Sequence, residues 1–172
     1  MDNITESPDF DIRYSKEEDL PFLQTWLDKP EVNRWLPVSS QKDVEMLSKN
    51  WIGFSKYGAS LTATYKGDPI GVATLFLMPY RKVIHHSLIY IVVGPDHWKQ
   101  GVGTALLRNI FHLGKSYFRF EKMHLEVYEG CPLIPLLEKG GFHEVCRQEH
   151  FIKEADGNYL AKIIYEKVCD GK

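Results

Sequence analysis

Cysteine is scarce in this chain, and its spacing forms no recognisable site. The three cysteines, Cys131, Cys146 and Cys169, are odd in number and widely separated. No C-x-x-C pair and no Cys/His cluster with metal-ligand spacing occurs. A disulfide framework and a zinc motif both need several cysteines at short intervals, so neither is expected. We therefore expect reduced thiols, a cytoplasmic location and no bound metal.

Long apolar runs and a strong net charge are also missing. No stretch approaches the roughly 18 apolar residues of a membrane span, and the acidic first ten residues carry no secretory signal. The formal net charge of −2 lacks the basic excess that binds nucleic acid. With 172 residues, 44% of them hydrophobic, the chain suits one globular domain with its own core. We expect contact with neither membranes nor nucleic acid.

The spacing of apolar residues predicts a mixture of strands and helices. Strands are predicted at 10–14, 61–65, 70–77, 82–93, 122–128, 142–152 and 159–168. Helices are predicted after an S-x-x-E capping box at Ser15 and Glu18, and over 30–37, 41–57, 102–118 and 132–139. This order predicts one α+β domain over residues 10–168. A flexible segment, 1–9, would precede it and a short tail, 169–172, would follow.

Two glycines mark the entrance of the helix predicted at 102–118. The apolar strand before it stops at a Gly-Pro pair, a polar turn follows, and Gly101 and Gly103 precede the helical pattern. A helix N-terminus presents unpaired N–H groups, and glycine lets a phosphate approach them closely. The loop is not a P-loop, since no lysine follows Gly103, nor a dinucleotide fingerprint, since Leu106 replaces the third glycine. We therefore predict an anion cradle for a phosphorylated ligand.

The loop Trp98-Lys99-Gln100-Gly101-Val102-Gly103 resembles the pyrophosphate loop of the GNAT superfamily, the acyl-CoA-dependent N-acetyltransferases. Trp98 stands where the family usually has glutamine or arginine, and this departure is similar to the branch that acetylates ribosomal-protein N-termini. Two further landmarks follow in the family's order, Leu125-Glu126-Val127 and Gly141-Phe142. The resemblance spans residues 10–168.

The resemblance implies a GNAT-like fold, with a central mixed, mostly antiparallel sheet of about seven strands and flanking helices. Two neighbouring parallel strands, 88–93 and 124–128, would splay apart and admit the acyl-pantetheine arm of acetyl-CoA. The pantetheine would bond to the backbone of Ile91, Val92 and Val93. The pyrophosphate would be held by Trp98, Lys99, Gln100, Gly101, Val102, Gly103 and Thr104. A valine at Gly103 would stand in the path of the pyrophosphate.

Transfer of an acetyl group to an amine needs a group that takes the amine's proton. Glu126 is one candidate, because its L-E-V segment resembles that of N-terminal alanine acetyltransferases. His86 and Ser87, with His85, lie on the predicted strand where other family members place a glutamate base. Alternation would put His85 and Ser87 on one face of that strand and His86 on the other. Each of these side chains could equally be structural or solvated.

The departing thiolate also needs a proton donor, and the family's usual tyrosine is replaced by Leu137. Leucine cannot donate a proton. Tyr128, at the end of a predicted strand, is the nearest substitute, with Tyr90 on the neighbouring strand. Either tyrosine could instead serve only for packing.

Because the family's usual proton donor is missing, the sequence favours an acceptor amine that loses its proton easily. A protein α-amine has a pKa of about 7.7–8.0, whereas that of lysine is about 10.4. We therefore expect acetyl-CoA as co-substrate and a primary-amine acceptor, with a protein N-terminus ranked first and an aminoglycoside or polyamine second. A non-catalytic acyl-CoA-binding module and a domain without cofactor remain alternatives. Either a monomer or a homodimer fits this sequence.

Overall fold

The computed structural model describes residues 3–169, which form strands and helices in the predicted order. The strands are β1 (Phe10–Tyr14), β2 (Ser60–Tyr65), β3 (Asp68–Phe76), β4 (His86–Val93), β5 (Lys122–Tyr128), β6 (His143–Lys153) and β7 (Tyr159–Val168). The α-helices are α1 (Leu20–Asp28), α2 (Pro30–Asn33), α3 (Gln41–Ile52), α4 (Val102–Ser116) and α5 (Ile134–Lys139). The α+β class predicted from the sequence is confirmed.

The strands of residues 3–169 form one seven-stranded sheet in the order β1-β2-β3-β4-β5-β7-β6. Every neighbouring pair is antiparallel except β4 and β5. These two strands pair only from His86 beside Lys122 to Leu88 beside His124. Beyond that point each strand continues without pairing to the other. The predicted splayed parallel pair is therefore confirmed, and its gap opens toward the carboxyl ends of both strands.

Hydrophobic cores lie on both faces of the sheet. Val72 and Val92 pack with α1 and α3, whereas Ala73 and Ile91 pack with α4. Neighbouring residues of a strand point to opposite faces, so α1 and α3 cover one face of β3 and β4 and α4 covers the other. Helices on both sides hold β4 in place at the end where it separates from β5.

β4 begins four residues later than predicted, at His86 rather than Lys82. The preceding residues form consecutive turns, in which the Val83 N–H donates to Tyr80 O and the His86 N–H donates to Val83 O. His85 therefore lies outside the strand. The prediction that His85 and Ser87 share a strand face is wrong, because these turns end the alternation before His86.

The start of α1 also differs from the prediction. The Ser15 N–H donates to Ser60 O at 2.9 Å, and the two serine hydroxyls lie 2.9 Å apart. Asp19, not Ser15, accepts a hydrogen bond near the helix start, from the Lys16 N–H at 2.9 Å. The predicted Ser15/Glu18 capping box is wrong because the β1–β2 pairing already uses Ser15.

The Asp19 carboxylate is buried and accepts hydrogen bonds from three residues. Both Nη atoms of Arg13 donate at 2.8 Å, and the Lys16 N–H and the Thr62 hydroxyl donate at 2.9 and 2.7 Å. Burial by itself would raise the pKa of Asp19, but these bonds outweigh burial and hold the pKa below its ordinary value. The carboxylate therefore ties β1, β2 and the start of α1 together in its ionised form.

Asp19→Asn is expected to lower the free energy of unfolding near neutral pH by about 2–3 kcal/mol, because charged hydrogen bonds are lost inside the protein. Folding lowers the pKa of Asp19, so its contribution is present above the unfolded pKa. That contribution disappears as the pH falls through the folded pKa. Denaturant unfolding at neutral and acidic pH should show the difference from wild type shrinking in acid. The exposed Asp11→Asn on β1 is the control, and an equal loss in both variants would contradict this role.

Part of the segment predicted to be flexible packs on the domain. Ile4–Glu6 form a 3-10 turn, and Ile4 packs against the larger core. Residues 1–2 of that segment and 170–172 of the predicted tail lie outside the described residues. Among residues 3–169, no helix combines the length and apolar character needed to cross a membrane.

Candidate active site

A cavity of about 350 Å³ opens where β4 and β5 separate. Its walls come from both strands, from the loop and first turn of α4, and from the helices on the α1/α3 face. The candidate residues that line it are Tyr90, Ile91, Val92, Val93, Trp98, Lys99, Gly101, Gly103, Thr104, Glu126 and Tyr128. The split in the sheet thus brings the glycine loop and two distant strand ends to one space.

The backbone of the loop before α4 contains two residues with positive φ, Lys99 at 59° and Gly101 at 86°. Gly101 is the N-cap of α4, and Ala105 N–H donates to its carbonyl at 3.0 Å. The amides that precede Ala105 in the helix belong to Val102, Gly103 and Thr104. The first N–H groups of a helix have no intrahelical acceptor. These amides are therefore donors of the kind that bind phosphate at a helix N-terminus.

Two predicted cofactor residues do not line the cavity with their side chains. The Gln100 amide donates to Asp96 O at 3.2 Å within the loop. Val102 is 1% exposed and belongs to the larger core. Both residues can therefore serve a phosphate only through their backbone N–H groups, whereas Thr104 is exposed and also offers its hydroxyl.

Both loop glycines stand where a larger side chain would meet other residues. A β-carbon on Gly101 would collide with the Asn3 side chain, and the positive φ already disfavours one. A β-carbon on Gly103 would lie 2.8 Å from Leu136 Cδ1 of α5. Gly103 and Leu136 both line the cavity. A side chain at Gly103 would thus contact Leu136 at the cavity wall, and the blocking of the pyrophosphate by a valine there stays a prediction.

The edge of β4 that faces the gap offers backbone groups for a ligand. The Gly94 N–H donates to Ile70 O of β3, and antiparallel pairing alternates, so Val92 is also directed to β3. Ile91 and Val93 are therefore directed toward β5, from which β4 has separated. The Trp98 indole donates to Val93 O at 2.7 Å. The Ile91 backbone and the Val93 N–H remain as the groups that face the gap.

Glu126 lies on β5 with its side chain exposed in the cavity wall. Its Oε2 lies 3.4 Å from Nζ of Lys162 on β7. Lys162 also lies over the Phe151 ring, 4.2 Å from the ring centre. The carboxylate is thus held from one side by a cation and exposed to the cavity on the other. A carboxylate in this position can accept a proton from a ligand in the cavity.

Two tyrosines lie near Glu126 on the α1/α3 face of the sheet. Burial, followed by the Glu126 charge and by Tyr90, raises the pKa of Tyr128 to about 12. Burial and then Glu126 also raise the pKa of Tyr90. Tyr90 stacks on Trp51 with ring centres 4.6 Å apart. Both phenols therefore stay protonated near neutral pH, and Tyr128 lines the cavity as a hydrogen-bond donor.

His86 and Ser87 are not brought to the cavity. They lie where β4 and β5 are still paired, beside Lys122 and Met123. Ser87 is completely buried, and its hydroxyl donates to Phe76 O at 3.0 Å. Neither residue lines the cavity, because the strands separate only beyond Leu88. A direct contact between either side chain and the reacting atoms is therefore not supported.

Several cavity residues were missed from the sequence. Trp51, Leu136 and Leu27 line the cavity, and Lys162 holds the Glu126 carboxylate. Leu137, at the family's tyrosine position, is completely buried in the larger core. Apolar helix residues carry no local signal of a ligand site.

Within residues 3–169, no group of three or more His, Cys, Asp or Glu side chains is placed to hold a metal ion.

This chain matches a model of a protein family and the sequence of a curated protein. A model of the acetyltransferase (GNAT) family matches residues 20–142. An N-alpha-acetyltransferase from Sulfolobus acidocaldarius is 29% identical over 109 residues. That alignment covers 63% of this chain and 54% of the archaeal protein. The chain thus aligns with about half the length of this relative.

Solved structures share the fold at low sequence identity. A ribosomal-protein-alanine N-acetyltransferase from Brucella melitensis superposes with a TM-score of 0.73 and 19% identity, covering 91% of this chain and 98% of that one. YncA from Salmonella typhimurium, solved with its cofactor acetyl-CoA, superposes with a TM-score of 0.76 and 14% identity. That superposition covers 95% of each chain. These structures share the overall fold of this chain.

Proposed function

Because this chain belongs to the acetyltransferase (GNAT) family, we propose that it transfers an acetyl group from acetyl-CoA to a protein N-terminal α-amine. The observation that carries the proposal is the cavity between the splayed strands. It is lined at once by the first turn of α4, by the free edge of β4 and by Glu126 and Tyr128. An anion cradle, a slot for an amide-bearing arm and a proton acceptor thus meet in one space.

The residues present fit acetyl-CoA, which GNAT acetyltransferases use as acetyl donor. The amides of the first turn of α4 would hold the pyrophosphate, with the Thr104 hydroxyl as a further donor. The Ile91 backbone and the Val93 N–H would bond the pantetheine, whose amides need partners of both kinds. Lys99, exposed at the rim of the cavity, adds a positive charge near the phosphates.

The chemistry assigns complementary roles to two side chains. The Glu126 carboxylate would take a proton from the acceptor amine, freeing the nitrogen lone pair to attack the thioester carbonyl carbon. The carbon–sulfur bond then breaks, and the protonated Tyr128 would donate a proton to the departing thiolate. The second proton that the nitrogen loses on becoming an amide would restore the Tyr128 phenol. Because Leu137 is buried and cannot donate, Tyr128 is the cavity residue best suited to this step.

The choice of acceptor rests on the protonation of the amine. An α-amine with a pKa of about 7.7–8.0 is partly neutral near pH 7, whereas lysine must give up about 3 pKa units. Because a side-chain carboxylate is a weaker base than either amine, the amine that loses its proton more easily suits Glu126 better. The similarity to an archaeal N-alpha-acetyltransferase points the same way.

Calorimetry and a peptide assay together test the proposal. Titration with acetyl-CoA and with CoA is expected to show stoichiometric binding of both. Incubation with acetyl-CoA and an alanine-initiated hexapeptide should then give N-terminally acetylated peptide by mass spectrometry. The same peptide with a blocked N-terminus and an internal lysine is the control. Binding without transfer to the peptide, spermidine or kanamycin would favour a non-catalytic acyl-CoA-binding module, and no binding would refute the cofactor assignment.

Tyr128→Phe is expected to lower kcat by about 10²-fold, because it removes the phenol that protonates the thiolate while keeping the ring. The pKa of Tyr128 is raised to about 12, so the phenol stays protonated throughout the assay range. The loss should therefore be uniform from about pH 6 to about pH 9. Tyr117→Phe is the matched control, because this exposed tyrosine directly follows α4 and lies outside the cavity lining. Equal activity of both variants would show that Tyr128 only packs.

A further inference from the structure

A row of titratable side chains leads away from Glu126 along one face of β5. His124 and Glu126 are two residues apart, so their side chains share a face about 6.6 Å apart along the strand. Polar side chains at this backbone spacing can be connected through one water molecule. Glu166 of β7 stands directly across from His124, and Lys122 forms an ion pair with Glu166 at 2.9 Å. Polar groups therefore continue from the cavity to the segment in which β4 and β5 are paired.

Two further histidines, His86 and His85, extend this row from His124 to the protein surface. The His124 ring centre lies 5.7 Å from that of His86, which lies 5.1 Å from that of His85. His124 and His86 are half-buried, and His85 is exposed. The Nδ1 atom of His86 is buried without a hydrogen-bond partner among the residues the structure describes. Exposure to water thus rises from His124 to His85, at the opposite end of β4 from the cofactor loop.

The proposed reaction must release one proton for each acceptor that arrives as an ammonium. An ammonium and acetyl-CoA give an amide, CoA thiol and one proton, so that proton must leave the site. In the reacting complex the cavity would hold acetyl-CoA and the acceptor, which would cover the side of Glu126 that faces the cavity. A neutral imidazole can accept a proton on one nitrogen and release one from the other. A chain of histidines beneath the cavity meets that requirement.

We propose that His124, His86 and His85 form a proton outlet that carries the proton taken up by Glu126 to solvent at the far end of β4. This inference rests on the proposed function. The proton passes from Glu126 Oε through a bridging water to His124, then to His86 and His85, and each imidazole returns to neutral after passing it on. His124 and His86 touch neither substrate nor cofactor in this scheme, so they act through Glu126.

Burial, and after it neighbouring charges, keep the two inner histidines neutral and able to accept a proton. Burial, then His86, lowers the pKa of His124, while Glu126 and Glu166 raise it and Lys122 lowers it further. Burial, then His85 and Lys122, lowers the pKa of His86, while Glu166 raises it. A neutral imidazole next to a protonated Glu126 is a proton acceptor.

His124→Gln is expected to lower kcat about tenfold, less than the loss of a direct general base. The deficit should be largest between the pKa of His124 and that of the α-amine, where the imidazole is neutral and the acceptor still arrives as ammonium. The KM for acetyl-CoA should stay unchanged, because His124 lies outside the cofactor contacts. Added imidazole should restore part of the rate, since a soluble base can remove the proton instead. The exposed His112→Gln on α4 is the control. The assay uses acetyl-CoA and the alanine-initiated hexapeptide.

An unchanged pH profile without imidazole rescue in His124→Gln would overturn the outlet and show that Glu126 loses its proton directly to water. If the wild-type protein does not acetylate the peptide, the proposed acceptor fails, and a second measurement still tests the outlet. Proton NMR of the histidine rings should show that Glu126→Gln lowers the pKa of His124 and that His86→Gln raises it. A His124 titration indifferent to both changes would disprove the coupling.

Discussion

Glu126→Gln is expected to reduce turnover by about 10²-fold or more while acetyl-CoA binding stays unchanged. Glutamine keeps the size of the side chain but cannot take up the amine's proton. The Glu126 side chain is exposed in the cavity wall, so its charge is not needed for folding. The measurement is kcat and kcat/KM with the alanine-initiated hexapeptide, together with a calorimetric acetyl-CoA titration. Raising the pH should recover part of the lost rate, because more of the α-amine is then neutral.

Glu129 supplies a matched control for this substitution. It follows β5 closely and is also exposed and ion-paired, with Arg147, but it does not line the cavity. Glu129→Gln should therefore leave turnover near the wild-type value. Lys162→Met removes only the partner of Glu126 and should cost less than the loss of the carboxylate. If Glu126→Gln keeps full activity from about pH 6 to about pH 9, water rather than Glu126 accepts the proton.

The parts of this site that follow from local sequence were predictable. The change from an apolar run to a glycine loop and a helical period defines β4, the loop and α4 within one short segment. Residues of β5 alternate strictly, so Lys122, His124, Glu126 and Tyr128 could have been placed on one face from the sequence. His124 was overlooked because a histidine between apolar neighbours gives no signal unless its face is already known to border a site.

Contacts between distant segments could not be predicted in the same way. Glu126 and Lys162 are 36 residues apart in sequence, and they meet only because β5 pairs with β7. The sequence predicts one long strand through His85 and His86, since the β-branched Val83 and Ile84 in the preceding turns are typical of strands. Where β4 and β5 separate depends on packing by α1, α3 and α4 on the two faces. Only that separation decides that Tyr128 borders the cavity and His86 does not.

Gly103→Val is expected to weaken acetyl-CoA binding by about 10²-fold, the size expected when a charged hydrogen bond to phosphate is lost. The β-carbon of Gly103 would lie 2.8 Å from Leu136 Cδ1, the movable end of a side chain, and 3.8 Å from Val93 Cγ2. Alanine should therefore be tolerated after a small shift of Leu136. The two extra methyl groups of valine enter the cavity that both residues line. Calorimetric titration measures the loss, and thermal unfolding should remain close to wild type.

Gly53→Val is the matched control, because a β-carbon there would meet nothing within 4 Å. A second substitution separates two causes of lost binding. If valine acts by pushing Leu136 into the cavity, Leu136→Ala in the Gly103→Val background should restore binding. If the valine itself blocks the phosphate, the double variant should bind as weakly as the single one. Wild-type affinity in Gly103→Val would instead mean that acetyl-CoA does not approach the first turn of α4, and the cradle would have to be placed elsewhere.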